Sequence, residues 1–504
     1  MLLTTLMAVP LVGALAVLAL PGKAETVIKQ VALAVSLVTA AFALYLTLGL
    51  DWTSGSLQLV EKRDWIPSFG ISWGLGVDGI SAVLIVMATV LVPLVIVAGW
   101  WDAEASGHGS VKGFFALILA LEVCMIGVFA ATDVFLFYVF FEAMLIPVYF
   151  LIGRYGGDKR AYAALKFLLY SLVGGLFMLA SLVGLYVQSG RILGEGTFDF
   201  TALAGLQLDP ATQKLLFLGF FFAFAVKAPL VPFHTWLPDA AAESTPGTAT
   251  LLVGVLDKVG TFGMIRYLLP LFPDASHYYA PVIIVLAVIS IFYGALLAIG
   301  QNDMMRLVAF SSVSHFGFIV LGIFVMTSQG LAGSSFYMVN HGFSTGALFL
   351  IVGFLAARRG SAKISDFGGV AKVAPVMAGI TLLAGLSSLA LPGMSSFVSE
   401  FLVLLGTFAV NKTAAVIATL GIVLAAFYIL WMYQRTMTGE PGDEVRATVS
   451  EVTPRELVAV APLIAAIIAL GVFPQAALSL INPTVASVQN SVSVTDPATG
   501  GTGS

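Results

Sequence analysis

The sequence predicts an all-α membrane protein of about fourteen transmembrane helices, with two inverted five-helix repeats that each contain a broken helix. Three observations lead there. Only 10% of the 504 residues are charged and 59% are hydrophobic, with a mean hydropathy of +1.01, whereas soluble domains carry about 25% charged residues. Most apolar runs are hydrophobic on every side and long enough to span a bilayer. Prolines interrupt two runs beside ionisable residues, and irregular backbone at membrane depth survives only where protein or a water-filled cavity surrounds it.

The first run, near 2–20, lacks the positively charged start of a signal peptide and reads as a retained helix. Further spans fall near 28–49, 77–99, 113–131, 133–153, 163–187, 214–246 (broken), 248–268, 279–300, 305–327, 331–357, 374–407 (broken), 414–435 and 456–478. A short polar tail is expected from Ser479. The longest connecting loops, near 50–76 and 188–213, are too short for a soluble domain. The chain thus divides into a three-helix segment (1–112), a first repeat (113–268, broken near 227–238), a second repeat (279–437, broken near 391–400), and a final helix with its tail (438–504). A repeat with an odd number of helices inserts its second copy upside down.

Basic residues set the orientation. Fifteen of the 23, among them Lys29, Lys166, Arg306, Arg358 and Arg455, fall on one side, and six, among them Lys62 and Arg266, on the other. The positive-inside rule then places both termini on the outer, periplasmic side of a bacterial inner membrane. The net charge of −4 comes without any basic stripe for nucleic acid. The lone Cys124 excludes an intramolecular disulfide and any multi-cysteine iron–sulfur site.

Ionisable residues inside the spans carry the functional reading. Lys227 precedes Pro229 and Pro232 in the first break, and proline removes a backbone donor and clashes with the preceding turn. Glu142, Lys258 and Glu400 also lie mid-span. Each such charge costs roughly 2.5–3.5 kcal/mol at a helix centre, roughly 10–14 kcal/mol for the four if nothing relieves it. A Glu142–Lys227 contact is expected. A carboxylate partner that moves changes how tightly a buried lysine holds its proton, which is what a relay needs. Asp257, adjacent to Lys258, points about 100° away and need not neutralise it. His315 and His341 fall in consecutive helices, and an unperturbed imidazole titrates near neutrality, which suits proton passage, although a lone buried histidine is more often a packing residue. His234 marks an entry path or caps a half-helix. Glu122 reads as mid-span and Asp133 as a helix cap.

Gly74–Gly79 matches the dinucleotide fingerprint GxGxxG, but no strand is expected before it and a membrane span follows, so the match is rejected and Asp78 is read as a cap. Metal-ligand spacings, GxxxxGK[ST] and GxSxG are absent from the sequence.

The stretches FFEAMLIPVYFLIGRYGG, KAPLVPFHTWLPDAAAESTPG, LDKVGTFGMIRY, SSVSHFGFIVLG and LPGMSSFVSEFLVLLG, in this order, resemble the antiporter-like membrane subunits of respiratory NADH:quinone oxidoreductase. That superfamily also includes subunits of cation/proton antiporters and membrane-bound hydrogenases. The resemblance implies a proton-translocating module with Glu142 and Lys227 as an ion pair, Lys258 as the central lysine, His315 and His341 as a connecting axis, and Glu400 as the exit group. It places Glu122, His234 and Asp257 in supporting roles. It implies no cofactor on this chain, with FMN, iron–sulfur clusters, NADH and quinone bound by partner subunits and sibling antiporter-like chains on both sides. A cation/proton antiporter subunit and a structural spacer are the alternatives.

Overall fold

The computed structural model describes residues 1–497, and the last residues of the expected tail lie outside them. Among the described residues, twelve helices are long and apolar enough to cross a membrane. The two expected broken segments are present as pairs of shorter helices, Pro210–Lys227 with Trp236–Glu243 and Pro375–Ser388 with Ser395–Val410.

Burial sorts the helices into two shells. The apolar cores of Pro246–Leu271, Met304–Phe324 and Ser328–Arg359 are wholly buried. Outer helices such as Leu2–Ala19, Arg160–Leu193 and Lys412–Met437 bury well under half their residues and turn Val12, Leu169 and Val423 outward. That apolar exterior suits lipid. The helices with wholly buried cores are also the ones that carry Lys258, His315 and His341.

Glycine brings the inner helices together. A Cβ on Gly254 would lie 3.5 Å from Gly342 O, and one on Gly342 would lie 3.0 Å from Gly254 O. Likewise Gly333 and Gly406 let Ser328–Arg359 approach Ser395–Val410 backbone to backbone. Lipid gives no hydrophobic drive for helices to associate, so such close packing is what holds them.

Asp133 caps its helix as expected, accepting from the Phe135 and Leu136 amides, both at 3.0 Å. Asp78 does the same for Gly79–Ala98, forming a capping box with Ser81, and also pairs with Arg266 at 2.6 Å.

Two segments differ from expectation. Residues 50–76 are not a plain loop: Gln58–Ile66 and Ile71–Val77 form an antiparallel hairpin. The GxGxxG glycines therefore do lie in and after a strand, but a hairpin offers no βαβ unit. Among the described residues, the tail from Ser479 is instead mostly helical, within Gln475–Ser491. Leu480, Ile481, Val485 and Val488 make its buried face, a 3.6-residue stripe that its polar average concealed.

Candidate functional site: a buried ionisable axis

Lys227 is the last residue of its half-helix. The break that follows is closed by Trp236, whose indole N–H donates back to Val226 O at 2.9 Å. The Lys227 ammonium is enclosed and has no hydrogen-bond partner. It rests 4.7 Å from the centre of the Phe141 ring, a cation–π contact. Glu142, next along that helix, turns its carboxylate toward Gly175, where a Cβ would lie 1.6 Å from Oε1. The expected Glu142–Lys227 pair is met at electrostatic range but not as a direct contact: Glu142 Oε1 and Lys227 Nζ have no hydrogen-bond partner, yet each group feels the other's charge. Phe141 fills the space beside the ammonium instead.

Asp257 faces the end of the Lys227 helix. Gly260, one turn on and on the same face, packs so tightly there that a Cβ would lie 2.6 Å from Phe224 O and 2.7 Å from Ala228 N. The Asp257 carboxylate has no hydrogen-bond partner, and it lies within electrostatic range of both Lys227 and Lys258.

Lys258 sits between two π-helical turns, Leu252–Leu256 and Met264–Leu268. Such turns widen a helix and recur at functional sites. The Lys258 ammonium donates back to Val253 O and lies 2.7 Å from His341 Nδ1. An ammonium has only donors, so Nδ1 accepts and the His341 proton resides on Nε2. The His341 and His315 rings meet edge to face with centroids 5.2 Å apart. His315 Nε2 lies 3.3 Å from the Tyr428 hydroxyl, and its ring lies 5.9 Å from that of Tyr337. The Tyr337 hydroxyl donates to Glu400.

The second break holds Glu400 in place. Gly393 there has φ +94°, open to glycine alone, and Ala390 is held at φ +58°. Asn340 spans the gap, donating to Ser395 O at 3.0 Å and Ser399 Oγ at 2.7 Å.

Lys258, His341, His315 and Glu400 thus form one buried row, joined by Tyr337 and Tyr428, which the sequence reading missed. Tyr337 lies one helical turn before His341, so its spacing held a signal. Tyr428, within AAFYILWMY, held none. Three lesser candidates stand apart. Glu122 is fully buried with both oxygens unpartnered. His234 stands 5.0 Å from Tyr293, edge to face, with Nδ1 unpartnered. Asp257 is the only one of the three aimed at the lysines. Among the described residues no group of three or more His, Cys, Asp or Glu is placed to hold a metal ion.

The fold and this row define a polytopic membrane protein of the antiporter-like type, organised around buried ionisable groups between two broken helices. The family model described as NADH:quinone oxidoreductase/Mrp antiporter, TM, matches residues 131–425, and the chain belongs to that family. The chain is 50% identical to NADH-quinone oxidoreductase subunit M of Mycobacterium tuberculosis, over 98% of this chain and 95% of that one. It is 42% identical to subunit M of Rhodobacter capsulatus, over 92% and 90%. Among solved structures, a chain of respiratory complex I from Thermus thermophilus superposes with a TM-score of 0.88 at 31% identity, covering 98% and 100%. A chain of the Mrp complex from Dietzia shares the fold, with a TM-score of 0.86 at 23% identity over 97% of each.

Proposed function

We propose that this chain is a membrane-arm subunit of NADH:quinone oxidoreductase that carries protons across the bilayer. The observation that supports this most is the close succession Lys258, His341, His315, Tyr428 or Tyr337, Glu400 through the centre of the molecule. Each member can take up or release a proton, and a single water at each wider step would complete a hydrogen-bonded line. Glu142, Lys227 and Asp257 form the switching end. A displacement of either carboxylate relative to Lys227 changes how firmly that lysine holds its proton, and Asp257 passes the change to Lys258.

Driving force comes from quinone reduction on partner subunits, which hold FMN, the iron–sulfur clusters, NADH and quinone, while this chain carries no redox centre. Sibling antiporter-like chains flank it in the membrane. The two broken helices are equivalent members of inverted repeats. The face rich in basic residues is cytoplasmic, with both termini periplasmic in a bacterial inner membrane.

The test is Lys258→Ala in the assembled complex, measuring protons pumped per NADH oxidised. Loss of pumping with normal assembly is expected. Unchanged stoichiometry would reduce the buried row to a structural spacer, and sodium-dependent transport without any NADH-linked pumping would favour an independent antiporter.

A further inference from the structure

On the face that carries Lys29, Arg358 and Arg455, a cavity of about 420 Å³ lies where Gly79–Ala98, Pro246–Leu271 and Ser328–Arg359 end or begin. Trp101, Asp102, Gly247, Gly353 and Arg455 line it, and Trp101, 57% exposed, marks its mouth. Gly353 permits the close approach that shapes its wall, since a Cβ there would lie 2.2 Å from Pro246 Cγ. The axis described above makes no use of this space.

The cavity reaches the foot of the Lys258 helix, and the lysine turns toward it. Side chains on a helix tilt toward its N-terminus, and Lys258 follows this far enough to bond Val253 O. Its charge therefore sits near the level of residue 253, which at 1.5 Å per residue is about 9 Å above Gly247. Thr250 occupies the intervening turn on the same stripe. Its hydroxyl is fully buried and donates to Pro246 O at 2.9 Å, leaving its lone pairs free to accept.

Asp102 is the unmatched charge at the wall. On the same short helix Glu104 is paired with Lys29, and on a neighbouring element Glu456 is paired with Arg358 at 2.6 Å. Arg455 donates to Val97 O at 3.3 Å and Ala98 O at 2.8 Å. Asp102 Oδ2, enclosed above Gly99, has no hydrogen-bond partner. Burial pushes the Asp102 carboxyl up to about 6, against the pull of Arg455 and of the nearby Thr245 hydroxyl and with a push from Glu104.

We propose that this cavity is a proton-collecting vestibule that loads Lys258 directly, with Asp102 gathering protons at its wall and Thr250 passing them upward. The proposal deepens the proton-carrier reading and rests on it. A proton leaves water for the Asp102 carboxylate and crosses the cavity through water. The Thr250 oxygen then accepts it while its own hydroxyl proton, after rotation, moves to the neutral Lys258 amine. This route bypasses Glu142 and Lys227, so those groups control Lys258 without having to supply it.

The test uses the assembled complex in proteoliposomes, following proton pumping and NADH oxidation in Asp102→Asn, Asp102→Glu, Thr250→Val and Lys258→Ala. Asp102→Asn should slow proton-coupled turnover several-fold at pH about 8 and far less at pH about 6, where bulk water supplies protons unaided. Asp102→Glu should restore the rate, and Thr250→Val should reproduce the loss. Thermal stability of the Asp102→Asn complex should equal or exceed that of the parent, because an unpaired carboxylate has been removed. Parental pumping in Asp102→Asn at both pH values, or a uniform loss that Glu does not restore, overturns the vestibule while Lys258→Ala remains inactive. If Lys258→Ala itself pumps normally, the carrier reading fails and the vestibule with it. Should Asp102→Asn not assemble, Ala357→Phe at the exposed cavity wall must give the same pH-dependent loss by obstruction, and its absence overturns the proposal.

Discussion

Many charges at the rim of this molecule are paired, and several in its interior are not. At the rim, Lys166 and Arg306 share Asp239 at 2.7 and 2.6 Å, Lys62 holds Asp199 at 2.7 Å, and Arg358 grips Glu456 through two bonds. In the interior, Lys227 Nζ and both oxygens of Glu122 and Asp257 have no partner at all. Stability alone would favour the reverse, since water screens an exposed charge while an unpaired buried one is expensive. The contrast separates two jobs. Rim pairs tie helices to one another and to the hairpin, whereas interior charges are held apart so that their protonation can change.

Four experiments bear on that division, the largest effect first. Lys258→Ala should lower proton-coupled turnover by about a hundredfold or more, with assembly intact on a native gel; misassembly would make Lys258 a strut. Tyr337→Phe removes a hydrogen bond to the Glu400 carboxylate, about 1.5–3 kcal/mol, so turnover should fall roughly ten- to a hundredfold. An unchanged rate would place Tyr337 outside the route. Arg358→Ala, at the rim, should do the opposite. Leaving Glu456 buried without its partner should cost about 3–5 kcal/mol, seen as a lower melting temperature and poorer assembly, while each assembled complex pumps normally. Lys62→Ala should cost under about 1 kcal/mol. Burial alone would raise the Asp199 carboxyl, but Lys62 and the Ala202 amide hold it below its usual 3.8. Its stabilising contribution is therefore present above that value and lost as pH falls below it. Lys62→Ala should shrink that acid-side loss in a melting series, and an unchanged series would show that the pair contributes nothing.

The division also explains what could be read in advance. A lysine or glutamate within an oily run is conspicuous, so Glu142, Lys227, Lys258 and Glu400 stood out, as did the proline-marked breaks. Tyr428 is indistinguishable from packing aromatics until its hydroxyl is seen near His315. Glu142 and Lys227 feel each other's charge without touching, because side-chain direction is decided in three dimensions: Gly175 admits the carboxylate on one side and Phe141 stands beside the ammonium. Gln475–Ser491 was hidden by composition, since Asn482, Pro483 and its serines dilute a face that is apolar only at helical spacing.

That last helix has a consequence for how the protein is made. The Gly79 amide donates to Thr484 Oγ1 across 405 residues at 3.1 Å, a Cβ on Gly55 would lie 2.3 Å from Pro483 O, and His277 Nε2 meets Val492 O at 2.8 Å. Segments that leave the ribosome early thus wait for a clasp that emerges late. Until Gln475–Ser491 has been made, the contacts it closes beside Gly55 and Gly79 cannot form.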